Sequence, residues 1–290
     1  MPPAGSDARP PGSVAVVTDS TAYLSADLLA ANAITVVPVQ VVIGGTSHDE
    51  GVSVSSQAVA DALREWRPVT TSRPSPEAFA QAYAAAAAAG ASGVVSVHLS
   101  SDMSGTVTSA ELAAREATVP VRVVDSRTLG MAMGFAVVTG AQTAAAGADL
   151  DAVAAAVAAR CAASSAFFYV DTLEYLRRGG RIGAAAALLG SALSVKPLLE
   201  MADGRIALLE KVRTSARAVA RLEEVAVERA GQLPVDVAVH HLASAEKAAA
   251  LADRLHTRIP KLRSLLVAEV GAVVGAHVGP GMLAVALAPM

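Results

Sequence analysis

Cysteine is nearly absent. Cys161 is the only one in 290 residues, so no internal disulfide can form and no multi-thiolate zinc site can be assembled. A reducing cytoplasm is the compartment that fits. Charge is also scarce: charged residues make up 17% of the chain, with a formal net charge of −3. No global positive field exists to draw in a phosphate backbone, and nucleic acid is not expected as a partner. Residues 1–13 are rich in Pro, Gly and Ala but lack the apolar central stretch of a secretion signal. They read as a flexible tail. Two uncharged stretches, 129–148 and 271–290, reach the roughly 20 residues that a membrane crossing needs, yet Gly, Thr, Gln, His and Pro interrupt them. No stable membrane insertion is expected.

Reaction motifs are missing as well. There is no Gly-x-x-x-x-Gly-Lys-Ser/Thr phosphate loop and no Gly-x-Ser-x-Gly elbow. The stretch Gly180-Arg181-Ile182-Gly183 is too loose for a dinucleotide fingerprint. The six histidines show no metal-ligand spacing, and His240-His241, adjacent on an expected strand, would point to opposite faces. No metal or cofactor is expected.

What the chain has is hydrophobicity, 53% of it, dominated by Ala. That share fills a globular core, and the length suits two packed lobes. Apolar β-branched runs alternate with helical patterns: strands at 14–18, 35–42, 93–99 and 121–124, and helices at 25–32, 56–66, 77–88, 104–116 and 150–163. Strands that are apolar on both faces, set between helices, predict an N-terminal α/β domain with a parallel sheet. The character changes at Phe167-Phe168-Tyr169-Val170, which places a boundary near 164–166 and gives domains of 14–165 and 166–290. The second half predicts a basic helix at 173–178, a Gly-rich turn, an Ala/Leu helix and a hairpin over 198–210 turning at Asp203-Gly204. Helices at 215–230 and 245–257 and strands at 235–240, 264–267 and 283–287 follow, an α/β domain with a mixed sheet.

Parallel α/β sheets bind ligands at the carboxyl ends of their strands. Four stretches there carry hydroxyls: Asp19-Ser20-Thr21, Thr70-Thr71-Ser72-Arg73-Pro74-Ser75, Ser100-Ser101-Asp102-Met103-Ser104-Gly105-Thr106 and Asp125-Ser126-Arg127. Helix capping, at about 1 kcal/mol apiece, accounts for some of them. Adjacent hydroxyls exceed what caps can use, and the surplus implies an anionic head group, a carboxylate or a phosphate. His277 stands alone in a glycine-rich apolar loop, where it is either a core residue or a donor closing the head-group pocket. Around Arg177, Arg178 and Arg181, and again at Lys211 and Arg213, positive charge gathers in a slightly acidic chain, either as solvated helix ends or as a docking face. A hydrolytic triad of Ser100 or Ser101 with His277 and Asp19 or Asp125 is open on sequence order alone.

Taken together these motifs, with Leu176-Arg177-Arg178-Gly179-Gly180-Arg181-Ile182, Lys196-Pro197-Leu198-Leu199 and Val273-Val274-Gly275-Ala276-His277-Val278-Gly279-Pro280-Gly281, resemble the DegV family in collinear order from about residue 13 to the end. That family includes the fatty-acid-binding subunits of bacterial fatty acid kinase. The resemblance implies a long-chain fatty acid between two lobes, its carboxylate held by Thr70, Thr71 or Ser72, by Ser100 or Ser101, and by His277. It further implies a non-catalytic subunit that presents the acid to a separate kinase carrying ATP and metal. The acyl phosphate stays bound and feeds phospholipid synthesis, and Arg181 and Arg213 are the positions matching kinase docking. A serine-dependent acyl hydrolase or transferase, and a fatty-acid-responsive regulatory protein, are the other readings. Arg73 departs from the Thr-Ser-Gln-Pro of many relatives and sets a cation beside the head-group loop; Asp102-Met103 replaces a small Gly-containing pair. For a tail of about 14 methylenes, burial at about 0.8 kcal/mol each transfers on the order of 11 kcal/mol. The head group then mainly sets orientation, because an unpaired buried carboxylate would be costly.

Overall fold

The computed structural model describes residues 12–188 and 196–290. Most of the expected tail and the latter part of the expected Ala/Leu helix lie outside the described residues; the helix's earlier part is a 3-10 turn, Gly183–Leu188. The N-terminal half runs β1 (Val14–Asp19), α1 (Ala26–Ala31), β2 (Ile34–Val37), β3 (Gln40–Ile43), β4 (Thr46–Asp49), α2 (Ser56–Arg64), β5 (Val69–Ser72) and α3 (Pro76–Ala88), then β6 (Gly93–His98), α4 (Thr106–Ala114), β7 (Val121–Asp125), α5 (Met131–Ala145) and α6 (Leu150–Ala163). The C-terminal half continues with β8 (Ser165–Tyr169), α7 (Glu174–Arg178), β9 (Lys196–Ala202), β10 (Arg205–Val212) and α8 (Ser215–Ala230), then β11 (Val235–His241), α9 (Ala245–Arg258), β12 (Leu262–Glu269), α10 (Ala272–Val278) and β13 (Leu283–Pro289).

The first lobe is built on a parallel sheet ordered β2-β1-β6-β7. Its two central strands are buried at every position, which is why Val-rich runs without polar alternation form them. The second lobe carries a mixed sheet, β10-β9-β8-β13-β11-β12, in which only β11 and β12 run parallel. This is the α/β architecture expected, one parallel and one mixed sheet. Hydroxyl caps account for part of the Ser and Thr surplus: Ser25, Ser55, Ser75 and Thr214 each accept the amide three residues on. Among the described residues no helix is long and apolar enough to cross a membrane. The apolar stretch from 129 forms α5, buried along most of its length.

Three expectations need correction. The single strand at 35–42 is two strands in different sheets. Pro38 has no N–H for a ladder, so the chain leaves β1 after Val37 and re-forms as β3 between β4 and β5. That hairpin turns at Gly44-Gly45, both at positive φ, as a two-residue loop requires. Second, Thr70-Thr71-Ser72 is not a loop but part of β5, in which Thr71 is half-buried while Thr70 and Ser72 are exposed. Third, the glycine-rich stretch around His277 is helical. Gly275 is small there because Leu242 presses on the helix, 3.2 Å from where a Cβ would stand.

The lobes are tied together by packing and charge. Met131, Ala132 and Phe135 of α5 pack against Ala238, Ala286 and Ala288 of the mixed sheet. On α6, the buried Arg160 pairs with Asp236 of β11 at 2.6 Å and also donates to the Pro289 carbonyl.

Candidate functional site

A cavity of about 300 Å³ lies where the lobes meet, within the size range of small-ligand sites. Most of its wall is apolar: Leu99 and Leu129 from the first lobe, Phe168, Leu176, Met201, Ile206, Val270, Val274, Met282 and Val285 from the second. Polar chemistry collects at one end. There the Thr71 hydroxyl lies 2.9 Å from His277 Nε2, bringing together β5 and the last turn of α10, which are 206 residues apart in sequence. Arg181, following α7, also lines the cavity. Its guanidinium is aimed by two carbonyls, donating through Nε to Met103 at 3.1 Å and through Nη1 to Gly179.

Burial, with the adjacent Arg181 charge, pushes His277 down to about 4, so the imidazole is neutral at physiological pH. Its Nδ1 is buried without a hydrogen-bond partner and faces Gly179, where any Cβ would stand 2.0 Å from it. No side chain other than glycine's fits there. An orphaned N–H is costlier than an orphaned lone pair. The proton therefore belongs on Nε2, donated to Thr71 Oγ1, which leaves the Thr71 O–H free to point into the cavity. Nearby, Arg73 lies across Gly105, the uncapped N-terminus of α4. Ser72, Arg73, Ser104 and Gly105 complete this end of the lining.

Of the residues singled out in the sequence, Thr71, Ser72 and His277 border the cavity. Thr70 does not; it occupies the opposite face of β5 and is exposed. Ser100 and Ser101 also fall outside the lining. The loop after β6 tightens into a turn in which the Ser100 carbonyl accepts the amides of Met103 and Ser104. Ser100 Oγ is then spent on the Gly204 carbonyl at 2.7 Å, fully buried. Ser101 Oγ donates to Asp125 at the surface. Ser104, three or four residues on, takes the place at the cavity. Arg181, read as a docking residue, is part of the lining, whereas Arg213 is exposed just past β10.

The hydrolytic triad is not assembled. Ser100, Ser101 and His277 are each committed elsewhere, and Asp19 holds the amide and hydroxyl of Thr21, the Leu99 amide and His98. His98 passes the network to Ser96 and Tyr83. All five side chains are buried, so this chain of bonds clamps β1 to β6 within the core. Among the described residues no group of three or more His, Cys, Asp or Glu is placed to hold a metal.

Two residues that sequence reasoning missed stand beside the cavity. Glu50, after β4, is buried; it accepts from Ser20 Oγ and, at 2.8 Å, from the Val273 amide of α10. Burial pushes its carboxyl up to about 7. Tyr23 packs edge-on against His240, with ring centres 5.8 Å apart. His240, pushed down to about 4 by burial, accepts the Met131 amide at Nε2 and faces the Ala268 carbonyl through Nδ1. Both rings line the cavity. No local signal announced these residues, because their partners are far away in sequence.

A family model described as an uncharacterised protein of the DegV family matches residues 13–290. A DegV domain-containing protein of Streptomyces coelicolor is 58% identical over 272 residues, 94% of this chain and 97% of that protein. Among solved structures, a DegV family protein from Thermus thermophilus described for its fatty acid binding superposes with a TM-score of 0.90 at 33% identity, covering 96% of this chain and 100% of that one. DegV of Bacillus subtilis, described as a fatty acid binding protein, gives 0.88 at 31%, with 96% and 100% covered.

Proposed function

This chain belongs to the DegV family, and from that premise we propose that it binds one long-chain fatty acid in the cavity between its lobes. The observation that carries the reading is a largely apolar cavity with polar groups at one end, where Thr71, His277 and Arg181 converge. The acyl tail supplies most of the affinity through burial. The carboxylate accepts the Thr71 hydroxyl, itself polarised by the neutral imidazole behind it, and is neutralised by the Arg181 guanidinium. Ser72 and Ser104 supply further hydroxyls at that end.

The chain performs no reaction by itself in this reading. It works in the bacterial cytoplasm, where it presents the carboxylate to a separate ATP-dependent kinase that forms the acyl phosphate. The product stays in the same cavity, for use in phospholipid synthesis. Arg181 reaches the head group from inside, and Arg213, on the surface, serves kinase docking. The lobes divide near residue 165, where β8 starts the mixed sheet, and the ligand lies across that division. Titration of delipidated protein with a C16 or C18 acid tests the binding, expected to saturate at one acid per chain. Incubation of the loaded protein with ATP and the host's acyl kinase tests the presentation, through appearance of hydroxylamine-reactive acyl phosphate. Saturable binding without acyl phosphate would leave a carrier or sensor and remove the kinase role.

A further inference from the structure

A second, wider cleft, about 850 Å³ in volume, lies on the other side of Tyr23. The Tyr23 side chain borders both spaces. Behind it the outer cleft presents Leu24, Leu29, Val36 and Pro38, an apolar surface able to receive hydrocarbon. Nothing in the proposed head-group chemistry uses this residue.

The position is held in an unfavourable state. Tyr23 has φ +53°, a left-handed conformation that is unfavourable for a bulky residue. Its hydroxyl is buried without a well-aligned hydrogen-bond partner, although the Gly271 and Val274 amides and the Glu50 carboxylate lie close by. Packing stability alone would favour a smaller residue on that backbone and a phenyl ring in that environment. What the tyrosine supplies is a ring shared by the walls of both spaces, braced edge-on by His240, whose Nε2 is fixed by the Met131 amide.

Its location along the cavity follows from α10. The Tyr23 ring lies 2.7 Å from where a Cβ on Gly271 would stand, at the start of α10, whereas His277 is in the last turn. Six residues at about 1.5 Å each separate the two by roughly 9 Å. A membrane lipid's chain covers about 15 Å, half of a hydrocarbon core of about 30 Å. The ring therefore flanks an acyl chain partway along its length and does not cap its end.

Resting on the fatty acid reading, we propose that Tyr23 is a specificity-determining partition: it keeps the acyl cavity narrow at this depth and excludes chains that are kinked or branched there. With the ring removed, the cavity opens into the outer cleft and such chains fit.

The test compares two C18 acids on delipidated protein, the straight saturated acid and one with a cis double bond at carbon six, whose bend falls beside the ring. Wild type is expected to prefer the straight acid by about tenfold, the scale on which a pocket rejects small excess bulk. Tyr23→Gly, which suits the positive φ, is expected to bring the two affinities within about twofold, since the excluded bulk then has somewhere to go. Tyr23→Phe should keep the wild-type ratio and melt no lower. Should the glycine variant not fold, Tyr23→Leu, which shortens the wall while keeping it apolar, reads the same ratio. An unchanged ratio in a folded Gly or Leu variant overturns the partition, as does wild type binding both acids equally or Tyr23→Phe losing selectivity. If wild type binds neither acid, the fatty acid reading itself fails, a result distinct from all of these.

Discussion

Replacing Thr71 by Val tests the head-group assignment most sharply, because it removes one oxygen and keeps the shape and β-propensity that β5 needs. In the empty protein the hydroxyl lies 2.9 Å from His277 Nε2. Losing a part-buried bond of this kind costs on the order of 1 kcal/mol of stability. In the loaded protein the same hydroxyl donates to a carboxylate, and hydrogen bonds to charged groups are worth about 1.5–3 kcal/mol. The dissociation constant should therefore rise roughly 10- to 150-fold, at 1.4 kcal/mol per decade. Binding is not abolished, since the methylene contribution is several times larger. Displacement of a fluorescent fatty acid from delipidated protein gives the ratio of constants, and thermal melting of the empty proteins gives the structural cost separately. A folded Thr71→Val protein that binds within about twofold of wild type would refute the reasoning and move the carboxylate elsewhere in the cavity.

Three further outcomes are expected. Ser101→Ala should leave fatty acid affinity unchanged, since Ser101 Oγ is bonded to Asp125 at the surface; a tenfold loss in the displacement assay would show that the loop after β6 rearranges on binding. Glu50 loses its proton near pH 4.5 when unfolded and near 7 when folded, so its contribution to stability falls as pH rises through that window, by up to about 3 kcal/mol. Glu50→Gln should then melt higher than wild type at pH 8 and gain little at pH 4.5, and an equal difference at both pH values would contradict a buried, late-titrating carboxyl. Arg213→Glu should bind fatty acid normally and slow acyl-phosphate formation by the partner kinase; an unaltered kinase rate would end the docking role assigned to this exposed side chain.

Periodicity alone located the elements whose burial follows a single rule. The Ala-rich helix α6 and the amphipathic α8 have the bounds their patterns suggested, and β1 and β6 announced themselves by unbroken β-branched runs. The small sheet of β3, β4 and β5 was partly hidden, because strands that expose Thr and Ser to water resemble loops. Pro38 and Gly44-Gly45 were the available clues to its hairpin. In the site, the expected Thr71 and His277 do meet, but choosing among adjacent hydroxyls was beyond the sequence. Ser104 rather than Ser100 or Ser101 borders the cavity because of a turn closed by two amides on the Ser100 carbonyl, and residue spacing does not encode that turn. Glu50 and Tyr23 were invisible for a related reason: Glu50 acquires its partner in α10 from 223 positions away, and Tyr23 borders two spaces whose other walls come from residues far along the chain.

A long-chain fatty acid held in the cavity with its carboxylate on Thr71 and Arg181 is tested most directly by native mass spectrometry of the protein purified from a bacterial host, followed by identification of the extracted lipid. One C14–C18 acid per chain is expected in wild type, with occupancy sharply reduced in Thr71→Val and unchanged in Ser101→Ala. A wild-type protein that carries no acid, and takes none up from a micellar excess, would contradict the account.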